Sequence, residues 1–326
     1  MSDNKKPMYE LEYPSPEVSG SGAEGPTLIV ALQGYADAGH AVEASSSHLM
    51  AALDNRLIAS FNNDELIDYR SRRPAVVIEN NEVSEMEELQ LGLHVIRDSD
   101  NKPFLVLSGP EPDLRWGAFT EAVSDLVDKF GVDQTICLYA APMTVPHTRP
   151  TVVSAHGNSA ALLKSQFSID ARISVPGSAS LKLERLLHTR GKNVAGYTVH
   201  VPHYVAASPY PAATLKLLES VAETAQLNLP LLSIERDAEK VQRQLSEQTE
   251  NSMEIQHVVG ALEKQYDDEI ERYRKKHPQG ALPGEPVVPS GDEIGAEFEK
   301  FLASLSENDE ADSSDSAEES SQDSED

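Results

Sequence analysis

The chain has 326 residues, 54 of them acidic against 27 basic, for a formal net charge of −27; ten carboxylates crowd between Glu307 and Asp326, leaving −17 on the rest. So acidic a chain excludes nucleic acid and anionic membrane as partners, because both are gripped by concentrated Lys and Arg. No apolar run approaches the roughly 20 residues that cross a bilayer, and the first residues carry neither a signal-peptide nor a lipidation pattern, so a cytoplasmic protein is expected.

Residues 1–25 read as a flexible segment rich in Ser, Gly, Pro and Glu around a small cluster of Met8, Tyr9, Leu11 and Tyr13. Residues 26–230 carry the pattern of an α/β domain. Short β-branched runs predict strands over 27–32, 57–61, 75–79, 93–97, 104–108, 135–140, 171–175 and 197–201, and apolar spacing predicts helices over 40–53, 116–130, 179–190 and 211–227. That alternation implies a three-layer α/β sandwich with a mostly parallel sheet. Gly131 is placed to end its helix in left-handed geometry. The one cysteine, Cys137, lies inside an apolar run, which leaves no intrachain disulfide or cysteine zinc site and makes it a small core residue.

Residues 231–277 change character to a charged helical hairpin. Val241 and Leu245 mark one stripe; Ile255, Val259, Leu262, Tyr266, Ile270 and Tyr273 mark another. A break is expected at 249–252, with Asn251 capping the second helix and Glu254 completing the box. The hairpin either packs on its own sheet or offers the Tyr266 and Tyr273 edge to a partner. Residues 278–305 read as a Pro- and Gly-rich linker and a short amphipathic helix carrying Ile294, Phe298, Phe301, Leu302 and Leu305; residues 306–326 form a disordered acidic tail.

Three polar turns are candidates for a site. Gly34, Asp37, Gly39 and His40 follow the first strand, where α/β folds bind phosphate, but the glycines are misplaced for a dinucleotide fingerprint and no P-loop Lys follows. The simpler reading has Gly34 permitting a tight turn and Asp37 capping the helix. After the strand at 135 comes Pro146-His147-Thr148-Arg149-Pro150, in which two prolines restrict an imidazole, a hydroxyl and a guanidinium. After the strand at 197 comes Pro202-His203-Tyr204; if the two strands are neighbours, these turns converge at one sheet edge. His147 and Arg149 could act as general base and anion clamp, or simply pin loops. Trp116 opens an apolar helix face and reads as core or interface. Ser108-Gly109-Pro110 lacks the glycine that a nucleophile elbow needs, and Glu85, Glu87 and Glu88 read as a solvated helix end or loop. No spacing suits a metal, no catalytic residue stands out, and no cofactor is expected.

The run Leu32-Gln33-Gly34-Tyr35-Ala36-Asp37-Ala38-Gly39, the segment Glu111-Pro112-Asp113 with Trp116 and Phe119, the Pro146-to-Pro150 loop, and Val201-Pro202-His203-Tyr204 with Tyr210-Pro211 together resemble the bacterial branch of the proteasome assembly chaperone 2 family. The stretch Leu262-Glu263-Lys264-Gln265-Tyr266-Asp267 resembles that branch too. The resemblance implies a fold similar to purine nucleoside phosphorylases, self-association, and kinship with proteins that help assemble proteasome α rings; it implies no catalytic residues. Such chaperones can end in a hydrophobic residue, a tyrosine and one more residue, whereas this chain ends Asp323-Ser324-Glu325-Asp326. The expectation is a non-catalytic interaction protein acting as a homo-oligomer, by analogy a trimer, with a proteasome-related or other protein partner. The alternative is an enzyme acting on a small anionic or nucleoside-like substrate in the crevice at the C-terminal edge of the sheet, lined by Asp37, His147, Arg149 and His203.

Overall fold

The computed structural model describes residues 8–14, 18, 25–168, 172–278 and 282. By contacts the chain divides into Met1–Gly284 and Glu285–Asp326, and the second unit lies wholly outside the described residues. The expected amphipathic helix over 293–305 and the tail at 306–326 lie there too, as does most of the 1–25 segment.

Among the described residues, nine strands form one sheet: β1 (Tyr9–Leu11), β2 (Thr27–Gln33), β3 (Asn55–Phe61), β6 (Gly92–Arg97), β7 (Pro103–Pro110), β8 (Gln134–Met143), β9 (Val153–Gly157), β10 (Phe167–Ser168) and β11 (Asn193–Pro202). Their spatial order is β1-β3-β6-β7-β2-β8-β11-β9-β10. The four central strands, β7, β2, β8 and β11, run parallel, as alternating strands and helices require. The flanks bring in antiparallel pairs, β1 with β3, β3 with β6, β6 with β7 and β11 with β9. The five residues between β6 and β7 are too few for a parallel crossover, so that pair folds back on itself.

Helices cover both faces, which makes three layers. Ile29 and Ala31 of β2, Ile136 and Leu138 of β8, and Val199 and Val201 of β11 point to one face, where they pack with α1 (Ala41–Ala52), α6 (Pro211–Ala225) and the start of α7 (Leu232–Glu250). The intervening residues Leu28, Val30, Leu32, Cys137 and Tyr139 point to the other, against α3 (Trp116–Lys129) and α5 (Ala179–Thr189). Strand alternation thus gives two cores from one set of sequences. Cys137 is fully buried in the second. Gly131 follows α3 at φ +61°, a left-handed turn that ordinary residues resist. A short α2 (Asn63–Leu66) and α4 (Ala160–Leu163) complete the body.

Two of the expected strands differ from the structure in existence or in place. The run at 171–175 forms no strand; 172–175 are irregular, with Ile173 and Val175 exposed, and the place beside β11 belongs to β9. The run at 75–79 does form a strand, β4 (Val76–Glu79), but outside the main sheet: it pairs only with β5 (Glu82–Met86) in a separate hairpin. Glu85 is therefore a strand residue, and Glu87 closes the hairpin by accepting the Ala75 N–H at 2.9 Å.

The C-terminal hairpin is present as α7 and α8 (Met253–Lys276). Ser252, not Asn251, accepts the Ile255 N–H at the start of α8, because Asn251 is still turning out of α7. Tyr266 and Tyr273 are buried within the chain: Tyr266 reaches the Pro150 carbonyl, and Tyr273 stacks on Phe167 at 3.8 Å between ring centres. No described helix is long and apolar enough to cross a membrane.

Candidate functional site

Parallel pairing of β8 with β11 carries the turns that follow them to the same sheet edge, beside the end of β2. The turn after β2 is tied down first. The Ala36 carbonyl accepts the Ala140 N–H at 2.8 Å, which fixes the turn to β8. Asp37 then accepts the N–H groups of Val42 at 2.7 Å and Glu43 at 3.1 Å, satisfying two open donors at the start of α1. Burial holds the Asp37 carboxyl above its ordinary value, outweighing those two bonds and the nearby His40, while Glu43 adds to the rise. Gly39, at φ +67°, donates to the Ala206 carbonyl at 2.7 Å and accepts from Tyr210 N–H at 2.9 Å. A side chain there would also press on Tyr210 Cβ at 2.9 Å, so glycine is required twice over.

The loop after β8 is held from two directions. From the β11 side, the Tyr204 hydroxyl lies 2.7 Å from both the backbone N–H and the Nδ1 of His147, with the rings edge to face. From the helical hairpin, Gln242 of α7 donates to the His147 carbonyl at 2.9 Å. Thr148 donates to Glu263 at 2.5 Å, Arg149 makes a two-pronged pair with Asp267 at 2.8 Å on each prong and a third bond to Glu263 at 3.1 Å, and Tyr266 donates to the Pro150 carbonyl at 2.8 Å. Positions 263, 266 and 267 share one face of α8 by helical spacing, so a single helix face answers three successive loop residues.

The charges follow this geometry. The Asp267 bond, with help from Glu263, raises the Arg149 guanidinium further above its already high value, and Arg149 in turn lowers the Asp267 carboxyl. Burial lowers the His147 imidazole, with Glu263 partly opposing, so it is neutral near pH 7. Its Nε2 is buried without a hydrogen-bond partner. His203 is exposed and stands edge to face with Tyr204 at 5.4 Å.

Asp37, Gly39, His147, Thr148, Arg149, His203 and Tyr204 therefore lie along one continuous set of linked turns. Gly34 and Trp116 belong to a different grouping. A Cβ on Gly34 would overlap the Glu111 carboxylate, and that carboxylate accepts the Ala179 N–H at 2.6 Å to start α5. Trp116 is half-buried against the second core and donates its indole N–H to the Pro112 carbonyl at 2.5 Å. Among the described residues, no group of three His, Cys, Asp or Glu could hold a metal ion.

Two features escaped sequence reasoning. One is a polar network on the α5 face of the sheet. Tyr139 donates to Glu184 at 2.5 Å, Glu184 pairs with His156 at 2.9 Å, and Gly196 makes the room, since a Cβ there would fall 2.6 Å from His156 Nε2. Next to it His200 Nε2 lies 2.9 Å from the Ser154 hydroxyl, and burial pushes that imidazole down to about 4. The lone glycine inside an otherwise β-branched strand was the available signal. The other is the β4–β5 hairpin, whose every residue is exposed, Ile78 at 71% and Val83 at 67%. Asn80 and Asn81, both at positive φ, make its tight turn, and that pair was the legible sign of a hairpin.

The sequence profile of the PAC2 family matches residues 31–249. A solved protein of unknown function from Corynebacterium glutamicum is 79% identical, covers 82% of this chain and all of its own, and superposes with a TM-score of 0.81. A second of unknown function, from Mycobacterium tuberculosis, is 47% identical over 83% of this chain and 92% of its own, at a TM-score of 0.79. A proteasome-assembly chaperone homologue from Mycobacterium tuberculosis is 26% identical over 72% of this chain and 99% of its own, at 0.66. No protein of curated function matches the chain.

Proposed function

Because this chain belongs to the PAC2 family, we propose that it is a non-catalytic, assembly-chaperone-like protein that binds other polypeptide and acts as a homo-oligomer. One observation carries the reading. Arg149, the best anion clamp at the sheet edge, directs its guanidinium fork at Asp267 and a further N–H at Glu263, two carboxylates of its own chain. A loop braced this way is architecture that positions the α7–α8 hairpin on the body. The kinship with a chaperone homologue at 26% identity supports the same reading.

Self-association finds its surface in the β4–β5 hairpin. Val76, Val77, Ile78, Val83 and Met86 are exposed on a two-stranded ribbon, and a ribbon with no buried residue is marginal by itself. Packing those side chains against another copy supplies the missing burial. The test is purification of tagged full-length protein from its own cells, followed by sedimentation. The reading expects a defined oligomer and a stable protein partner; monomers without any partner would overturn it.

A second reading, an enzyme working on a small anionic or nucleoside-like substrate in the crevice, draws on the unpartnered Nε2 of His147. A thermal-shift series with nucleosides, phosphates and carboxylates tests it. Stabilisation at millimolar ligand that disappears in His147→Phe would favour the enzyme; none across the series would dismiss it.

A further inference from the structure

β1 ends the main sheet, and among the described residues no strand pairs with its outer side. Its polarity is fixed by its bonds to the neighbouring strand. Asn62 N–H donates to the Met8 carbonyl and Glu12 N–H to the Ile58 carbonyl, each at 3.1 Å, so Met8, Glu10 and Glu12 turn their backbone groups toward β3. Tyr9 and Leu11 therefore turn theirs toward the open side. Open strand edges are templates for another strand.

What lies beside that edge is shaped and charged. A cleft of about 710 Å³ runs between β1 and α3, with Ala118 and Ala122 lining its helix side and Tyr9 and Leu11 its strand side. The small alanines leave room for apolar side chains of an added strand. Glu10, Glu121 and Asp125 supply the polar lining, and among the described residues no basic one belongs to it. Arg190 pairs with Glu121 and comes within 3.7 Å of Asp125, and it is the one cation that the described residues set against this lining. A second cleft along β1, about 450 Å³, adds Asp64 and, among the described residues, again no base.

We propose that the outer edge of β1 and the adjoining face of α3 form a docking site for an extended segment of a partner protein in which apolar and basic residues alternate. Its backbone pairs with Tyr9 and Leu11, its apolar side chains enter the alanine-lined cleft, and its basic ones, on the opposite face, lie beside Glu10 within the negative field to which Glu121 and Asp125 add. A second copy of this chain is disfavoured as the occupant, because edge-to-edge pairing would bring Glu10 and its neighbouring carboxylates against their equivalents. The inference rests on the proposed function only in expecting a protein partner. It uses a surface separate from the β4–β5 hairpin, so each can fail without the other.

The test uses the full-length protein and a labelled, end-capped peptide of about eight residues alternating valine and lysine, with a valine–glutamate peptide for comparison. Fluorescence anisotropy should show the lysine peptide binding at least tenfold tighter than the glutamate one, and more weakly as salt is raised. Leu11→Pro removes an outward N–H that makes no bond to β3, and should weaken binding at least tenfold with an unchanged circular dichroism spectrum. Asp125→Lys, on the exposed side of α3, should do the same by charge, and serves if the proline disturbs β1. Amide exchange by NMR should find Tyr9 and Leu11 unprotected in the free protein and slowed in the complex. No binding, equal binding of both peptides, or wild-type affinity in both variants would overturn the proposal. So would protection of Tyr9 and Leu11 in the free protein, whether independent of concentration, marking a segment of the same chain, or rising with it, marking a second copy.

Discussion

The loop at Pro146–Pro150 and the hairpin at Val76–Met86 invert the usual division between inside and outside. The loop is made of polar side chains, yet His147 is buried and Thr148 and Arg149 are committed to Glu263 and Asp267. The hairpin is built on valine and isoleucine, yet all its residues stand in water. Hydrogen bonds inside one chain explain the first, since every polar group named there but the His147 Nε2 has found a partner. Nothing among the described residues covers the second. Exposed apolar area of that kind is unfavourable until something covers it, and so the proposed self-association is placed on the hairpin rather than on the conspicuous polar loop.

The largest effect is expected where the hairpin is altered. Ile78→Glu combined with Val83→Glu should convert the oligomer to monomer in sedimentation, weakening association by about a hundredfold or more, as loss of central apolar anchors does. Helix content and melting behaviour at low concentration should stay unchanged, since neither side chain packs on the body. Persistence of the oligomer would move the interface elsewhere.

The next effect concerns the strand that carries Tyr204 toward the loop. Burial depresses His200 in β11 from 6.5 to about 4, so the folded protein resists a proton that the unfolded chain accepts. Its contribution is whole above the unfolded value, falls as pH drops from about 6.5 to 4, and amounts to about 3 kcal/mol. Wild type should thus lose about that much more stability over this range than His200→Gln in urea titrations; parallel pH curves would contradict the assignment.

Smaller effects belong to the brace itself. Tyr266→Phe leaves the Pro150 carbonyl without its partner and should cost about 1 kcal/mol. Arg149→Met should speed amide exchange in α8 from Val259 to Tyr273 while leaving the hairpin 76–86 unaffected. Smallest is His156, which Glu184 holds above its ordinary value. That pairing stabilises fully below the unfolded value of 6.5 and is lost as pH rises through the raised folded one, opposite in sign to His200. Because His156 is half-exposed the effect is no more than about 1 kcal/mol, read as a flatter alkaline limb in His156→Gln.

Much of the body was legible because its signals are local and periodic. Ile29 and Ala31 against Leu28 and Val30 alternate as a strand buried on both faces must, and Phe119, Val123 and Leu126 repeat as one helix face. The hairpin was half legible: 75–79 is β-branched, but Glu82-Val83-Ser84-Glu85-Met86 looks solvated, and being solvated is what it does. The run at 171–175 misled because β-branched composition favours a strand only where a neighbour is free to pair, and β9 pairs with β11 instead. The turns at Pro146 and Pro202 could be placed on one edge only if their strands were neighbours, as β8 and β11 are. Their bracing could not, since Thr148 meets Glu263 across 115 residues and Arg149 meets Asp267 across 118, and such pairs leave no period in the sequence.

The contrast between the bare hairpin and the braced loop is tested most directly by amide hydrogen exchange of the full-length protein at dilute and at associating concentrations. The account predicts that residues 76–86 gain protection as copies associate, while 146–150 and α8 are protected equally at both. Gains confined to the loop and α8, with the hairpin exchanging freely throughout, would contradict it.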